Sequence, residues 1–342
     1  MLASVRLKKN EERRIKQGHM WIFSNEVDLA ATPIKGLEAD QQVIVESSNG
    51  KAIGMGYVNP NTLICVRLLS RNPKLEMNMK FLKRRIQAAQ DLRELNFDAP
   101  YYRLVFGDSD GLPGLVIDRF GDVFSVQITT AGMEAVKDDI VQVLENLYHP
   151  SAIVMRNDTK SRELEGLPLY DEVVQGELPD EILIEENGAK FAIPVKDGQK
   201  TGWFYDHRMG RRRLQEMVEG KRVLDVFSYL GSWGIEAAVA GAAEVTCVDS
   251  SELAINGVER NAELNGVSEK MTLIQGKAFD VLNALRMEAG KFDVIIVDPP
   301  AFVKRKKDYK QGAEGYRRIN ELAMRLLEND GVLVSASCSH HW

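Results

Sequence analysis

The sequence predicts a small all-β domain over residues 1–72, a central α+β domain over 73–186, and an α/β domain built on a parallel sheet over 187–342. Three observations predict that order. Short apolar runs broken by Asn, Gly and Pro fill the first seventy or so residues, and a stretch with helical spacing of apolar residues opens the middle. From about Asn187, strands alternate with helices.

Composition bounds the reading. A chain of 342 residues with 44% hydrophobic and 27% charged residues has the makeup of a soluble globular protein of two or three domains. The basic start, Met1 to Lys16, is followed by no apolar stretch long enough for a signal peptide or membrane span. A cytoplasmic protein without membrane contact is therefore expected. The three cysteines, Cys65, Cys247 and Cys338, are scattered, which excludes a disulfide framework and lacks the paired spacing of a zinc site. No metal is expected. A formal net charge of −6 excludes a surface coated in positive charge, so any nucleic-acid contact must come from local patches.

The first domain reads as strands at Gln42–Glu46, Ala52–Tyr57 and Leu63–Leu69, separated by turns at Ser48-Asn49-Gly50 and Asn59-Pro60-Asn61. Its front end places Arg13, Arg14 and Lys16 close to His19 and Trp21, the mixture of charge and stacking surface that RNA binders use. A solvated basic face explains the same charges. The central domain opens with a helix over Met79–Leu95. Gly107, Gly111, Pro113 and Gly114 then mark turns before a strand at Val123–Ile128, a helix near Met133–Leu147 and a strand near Ile153–Arg156. Asp108-Ser109-Asp110-Gly111 lacks the ligand spacing and terminal Glu of a calcium loop and reads as a turn.

In the last domain Val223–Phe227 is a short apolar strand, Ser228 to Gly234 a glycine-bearing turn, and Ile235–Ala243 an alanine-rich helix. Glycine at 231 lets the backbone approach a ligand, so Phe227, Ser228 and Gly231 are candidate cofactor contacts. The next strand ends at Asp249, 24 residues after Asp225, where a carboxylate can accept hydrogen bonds from ribose hydroxyls. A third strand, Met271–Gln275, is followed by Asp280, placed to bond an adenine amino group. Acids at successive strand ends favour an adenosine ligand. The phosphate-cradling Gly-x-Gly-x-x-Gly of a dinucleotide site is missing, so S-adenosyl-L-methionine, which has no phosphates, is favoured over NAD.

The fourth strand, Phe292–Val297, runs into Asp298-Pro299-Pro300-Ala301-Phe302, which puts a carboxylate and a rigid turn where doubly wound sheets bind ligands. The fifth, Gly331–Ser335, leads to Cys338 at the mouth of the same crevice. Carbon 5 of cytosine is too poor a nucleophile to attack a methyl sulfonium, but a thiolate added to carbon 6 makes the ring enamine-like. Cys338 is the candidate thiolate, and Asp298 the acid that hydrogen-bonds N3 as charge builds on the ring. Asp298 and Pro299 also border the expected cofactor. Two basic runs, Lys304-Arg305-Lys306-Lys307 and Arg211-Arg212-Arg213, are placed to hold an RNA backbone near the target base.

These residues resemble a known family, the bacterial 23S ribosomal RNA cytosine-5 methyltransferases with an N-terminal PUA domain, a central α+β domain and a class I, Rossmann-like methyltransferase domain. The likeness rests on Gly18–Phe23, Gly107–Asp118, Gln199–Arg208, Asp298–Phe302 and Ser337-Cys338-Ser339. It implies a PUA-like RNA-binding domain at the front. It also implies that Lys200 to Arg208 walls the cofactor and substrate, with Lys200, Thr201 and Phe204 on S-adenosylmethionine and Arg208 on RNA. Asp225, Asp249 and Asp280 are implied as cofactor contacts and Cys338 as nucleophile. Many other RNA cytosine-5 methyltransferases place a second, releasing cysteine after the Asp-Pro-Pro turn; here that place holds Ala301, which leaves the releasing base unassigned. Related domains also continue past the fifth strand, whereas this chain stops at Trp342, so a shortened C-terminus and an exposed fifth strand are expected. Ribosomal RNA is the expected partner, and a homodimer is left open. Two other functions stay open: methylation of an exocyclic base nitrogen, which needs no thiol, and RNA binding without catalysis.

Overall fold

A computed structural model describes residues 2–194, 202–303 and 305–339. The chain forms two compact units, one running to Asp180 and the other taking Glu181–Pro194 and the chain from Phe204 onward. The division falls at 180/181, ahead of the expected start of the α/β domain at 187. The reason is a hairpin the sequence reading missed, described below.

The first unit begins with β1 (Ala3–Arg6), α1 (Glu12–Lys16), β2 (Trp21–Phe23), β3 (Gln42–Glu46), β4 (Ala52–Val58) and β5 (Ile64–Ser70). They form one sheet in the order β1-β3-β4-β5-β2, parallel only at β1/β3. Alternation along β3 puts Val43 and Val45 into a core with Val5, Ile22, Cys65, Val66 and Leu68. Next come α2 (Met79–Glu94), β6 (Tyr101–Phe106), β7 (Leu115–Phe120), β8 (Val123–Ile128), α3 (Ala131–Glu134), α4 (Lys137–Tyr148), β9 (Ala152–Asn157) and β10 (Tyr170–Gly176). Their sheet runs β10-β9-β8-β7-β6, and its one parallel pair, β8/β9, is joined through α3 and α4. The seam between the two sheets is polar as well as apolar. The Tyr57 hydroxyl donates to the Pro113 carbonyl at 2.8 Å, and buried Glu165 accepts from Asn59 Nδ2 at 2.8 Å.

The second unit opens with the antiparallel hairpin β11 (Glu181–Glu186) and β12 (Ala189–Pro194). Then follow α5 (Arg208–Gln215), β13 (Arg222–Val226), α6 (Ser232–Val239), β14 (Glu244–Asp249), α7 (Glu252–Leu264), β15 (Met271–Gln275), α8 (Ala278–Met287), β16 (Phe292–Val297), α9 (Tyr309–Leu326) and β17 (Leu327–Ser335). All five strands of its main sheet are parallel, in the order β15-β14-β13-β16-β17. Buried on both faces, the inner strands β13 and β16 read as apolar runs, such as Ile295-Ile296-Val297. Chain order reverses direction between β13 and β16, so the crevice at their C-terminal ends is the natural ligand site. Among the described residues β17 is the last strand of the sheet, and it starts at Leu327, four residues before the expected Gly331. Asn261 of α7 ties the hairpin to the crevice: its Oδ1 accepts from Ala192 N at 2.8 Å while its Nδ2 donates to the Leu230 carbonyl at 3.0 Å. No described helix is long and apolar enough to cross a membrane.

Candidate active site

The turn after β13 is strained and clamped. Phe227, Tyr229 and Gly231 have φ of 67°, 48° and 80°, and two of these are bulky residues for which the left-handed region costs of order 1–3 kcal/mol. Two carboxylates hold the turn there. Asp249, at the end of β14, accepts from Tyr229 N at 3.0 Å through one oxygen and from Ser251 N at 2.9 Å through the other. Asp225, fully buried in β13, accepts from Gly234 N at 2.9 Å. Glycine is required at 234 by space: a Cβ would lie 2.6 Å from Cys247 Sγ.

Burial pushes the Asp225 carboxyl up to about 7, against the Gly234 hydrogen bond that lowers it, and the charges of Asp298 and Asp249 add to the rise. Among the described residues its second oxygen, and the buried hydroxyl of Ser228, have no hydrogen-bond partner. Orphaned polar atoms beneath a strained turn at a strand switch point fit a small polar ligand with hydroxyls and amines rather than an apolar one. The adenosine and amino-acid ends of S-adenosylmethionine suit this set. Phe204 meets the turn from α5's side, its ring edge-on to Tyr229 at 5.5 Å. Asp280 is exposed in the first turn of α8.

Asp298 leaves β16 with its backbone N donating to the Val226 carbonyl at 3.3 Å, so the Asp-Pro-Pro turn starts beside the end of β13. Its carboxylate is bracketed: Trp233 Nε1 donates to Oδ2 at 3.3 Å, and His207 Nε2 stands 3.7 Å from Oδ1. One residue on, Cys338 Sγ lies 3.8 Å from the Pro299 carbonyl oxygen. The thiol is exposed, whereas Cys65 and Cys247 are fully buried and their thiols are raised by burial. The two segments are pinned together behind the turn. Ser339 Oγ accepts from Val303 N at 3.0 Å and shares a hydrogen bond with the Tyr316 hydroxyl of α9 at 2.7 Å. Gly312 permits that approach, since a Cβ there would lie 2.6 Å from the Phe302 carbonyl oxygen.

The structure thus brings together Phe204, Phe227, Ser228, Gly231, Asp225, Asp249, Asp298, Pro299 and Cys338 at one end of the sheet. Lys200, Thr201 and Lys304 lie outside the described residues. Trp233 was missed by sequence reasoning, and His207 was included only within the Lys200–Arg208 wall, with no role of its own. A tryptophan inside a glycine turn was the available signal, because small residues otherwise suit a tight strand-to-helix connection.

Two RNA contacts expected from sequence need correction. Arg208 is buried, with Nε 3.9 Å from Glu186 Oε2, and cannot present its charge to a phosphate. Arg211 is buried too, ion-paired with Glu186 and with Glu236 at 3.3 Å, while its guanidinium stacks on Trp233 at 5.8 Å. Helical spacing turns both toward buried carboxylates that require a counter-charge. Arg212 stays exposed, as does Arg305, which pairs with Asp308 at 3.0 Å. In the first unit Arg13, Lys16 and His19 are exposed. Arg14 pairs with Glu26 and lies over Phe23, and Trp21 donates from Nε1 to Asp108 Oδ1 at 2.7 Å.

Comparison with known proteins bears on both units. Residues 169–340 match the model of an S-adenosylmethionine-dependent methyltransferase family, and residues 5–71 that of a PUA-like domain. The chain is 37% identical to "Ribosomal RNA large subunit methyltransferase I" of Shewanella amazonensis, over 99% of this chain and 86% of that protein. Its likeness to the Escherichia coli protein of the same name is 36% over the same shares. In fold it resembles a solved structure assigned as an S-adenosylmethionine-dependent methyltransferase of Streptococcus mutans, with a TM-score of 0.79 at 24% identity over 98% of this chain and 85% of that one. A further solved methyltransferase structure, complexed with SAH, aligns with a TM-score of 0.81 at 24% identity over the same shares.

Proposed function

Because the chain belongs to the S-adenosylmethionine-dependent methyltransferases of large-subunit ribosomal RNA, we propose that it methylates carbon 5 of a cytosine in 23S RNA through a covalent adduct between Cys338 and carbon 6 of the base. One observation carries the choice of atom: the only exposed thiol of the three cysteines sits against the Asp298-Pro299 turn. A base-nitrogen methyltransferase has no use for a nucleophile there.

When bound, S-adenosylmethionine supplies an electrophilic methyl group. The strained turn at 227–231, with Phe204, Asp249, Asp280 and the orphan hydroxyl of Ser228, holds its adenosine and amino-acid ends, together with Lys200 and Thr201. Asp225 shapes that turn from below through the Gly234 N–H and positions it. Cys338 adds to carbon 6 as a thiolate, and Asp298 gives a proton to N3 as negative charge develops on the ring. Trp233 keeps Asp298 aimed through its indole N–H, which donates to Oδ2. Arg13, Arg14, Lys16, His19 and Trp21 of the PUA-like domain, with Arg305 and Lys304, contact the RNA backbone and unpaired bases.

The test is transfer of labelled methyl groups to unmodified large-subunit RNA, followed by digestion to nucleosides. The label is expected in 5-methylcytidine and to vanish in Cys338→Ala. Label in an N-methylated base, with Cys338→Ala still active, would overturn the reading in favour of nitrogen chemistry.

A further inference from the structure

The proposed reaction leaves one step without an owner. After carbon 5 has received its methyl group, the hydrogen it still carries must go before Cys338 can leave. Ala301 occupies the place where a second cysteine could serve, and Cys65 and Cys247 are fully buried. We propose that His207 is the releasing base and that Asp298 holds it for that task; this rests on the carbon 5 reading above.

His207 stands at the N-cap position of α5 with its side chain one-third exposed. Among the described residues it is the only histidine of the second unit, since His19 and His149 belong to the first. Its Nε2 faces Asp298 Oδ1 at 3.7 Å, and the Trp233 ring beside it, with centroids 5.9 Å apart, limits where the imidazole can turn. Because Nε2 is the nitrogen turned toward the carboxylate, Nδ1 is the one assigned to take the proton. The thiol lies against Pro299 and the imidazole against Asp298, so adjacent residues of one rigid turn carry both groups. A pyrimidine bonded at carbon 6 to the sulfur has carbon 5 one bond away.

The other described carboxylates suit the task less. Both Asp249 oxygens accept backbone N–H groups that hold the cofactor turn, and Asp225 is wholly buried. Asp298 itself has given its proton to N3 by this stage and acts as the carboxylate that steadies a cation.

The step balances. Nδ1 takes the carbon 5 hydrogen as a proton, and the electron pair of that C–H bond forms the carbon 5–carbon 6 double bond. The carbon 6–sulfur bond breaks, its electron pair leaving on the Cys338 thiolate, and N3 of the neutral product returns to Asp298 the proton it had received. The imidazolium, paired with Asp298, returns its proton to water.

The experiment incubates His207→Ala and His207→Gln with S-adenosylmethionine and ordinary cytosine-containing ribosomal RNA, then denatures the mixture and looks for protein bonded to RNA. Both variants are expected to accumulate a methylated adduct that the unmodified enzyme does not, with turnover slowed by roughly 100-fold or more, the usual worth of a positioned base. Added imidazole should discharge the adduct of His207→Ala, where it can occupy the vacated space, and not that of His207→Gln. Calorimetric binding of S-adenosylmethionine checks that each variant is folded. Normal turnover without an adduct overturns the proposal. So does an adduct that forms on 5-fluorocytosine RNA as slowly as the variants turn over, because His207 would then act before release. Failure of the carbon 5 reading shows separately, as absence of any adduct between the unmodified enzyme and 5-fluorocytosine RNA.

Discussion

Cys338 differs from the other two cysteines in where the fold puts it, exposed beside the Asp298-Pro299 turn rather than in a core. A thiol inside a core is an inert small hydrophobe, whereas one at the mouth of a crevice can form the thiolate that attacks. Position at a strand end, read from sequence, was enough to single it out. Replacement by alanine is expected to abolish methyl transfer while S-adenosylmethionine still binds, which calorimetry measures; loss of both would mean that the thiol supports the site's shape instead. Asp225 shows what sequence could not reveal. Its place at a strand end suggested a ligand contact, but the structure spends one of its oxygens on Gly234 N–H and buries the other unpaired. Its carboxyl is raised from 3.8 to about 7 in the folded chain, so the folded state holds a proton that the unfolded state gives up earlier. Stability from this group is therefore fully present at low pH and falls as the pH climbs from about 4 through about 7. Asp225→Asn, which cannot ionise, should flatten that decline in thermal melting recorded between pH 5 and pH 8; an unchanged slope would refute the assignment.

At the scale of elements, α5 and the β13–α6 turn show how far pattern reading reaches. The run Arg211-Arg212-Arg213 looks like a phosphate-binding patch when read along the chain. Wound into a helix, it splits, with Arg208 and Arg211 inward and Arg212 and Arg213 outward. The period was legible; the partners were not, because Glu186 lies on the hairpin and Glu236 on α6, and only the fold brings them to Arg211. Burial raises the Glu236 carboxyl against the pull of Arg211. Arg211→Met would leave Glu186 buried without its main counter-charge and is expected to destabilise the second unit by about 3–5 kcal/mol in denaturant titration. A change below 1 kcal/mol would show that the cluster contributes little. The glycine turn is more transparent, since tight packing follows from a strand running directly into a helix. Gly234→Ala must displace Cys247 or lift the turn, so a loss of about 1–3 kcal/mol with weaker S-adenosylmethionine binding is expected. Gly36→Ala, where a Cβ meets nothing within 4 Å, should change neither.

For the whole molecule, the alternation of strands and helices made the parallel sheet legible, and with it the crevice where β13 and β16 diverge. The hairpin β11–β12 was not legible as part of that unit. Its alternating pattern, with Ile182, Ile184 and Glu186 inward, describes any half-buried strand and names no partner sheet. In the first unit the strands over Gln42–Glu46, Ala52–Tyr57 and Leu63–Leu69 were legible to within a residue, whereas β1, α1 and β2 were not, and nothing in the sequence announced that Trp21 would bond Asp108. If the basic front end contacts RNA phosphates, Arg13→Ala and Lys16→Ala should each weaken RNA binding and reduce the slope of log affinity against log salt by about one. Unchanged slopes would make these charges a solvated face.

If Cys338 bonds to carbon 6 of the target cytosine during methyl transfer, large-subunit RNA carrying 5-fluorocytosine traps it there, because fluorine at carbon 5 cannot be removed as a proton is. A denaturation-resistant protein–RNA adduct is expected that requires S-adenosylmethionine, maps to Cys338 by peptide mass spectrometry and is absent in Cys338→Ala. Methyl transfer to ordinary RNA with no adduct on the fluorinated substrate would contradict it.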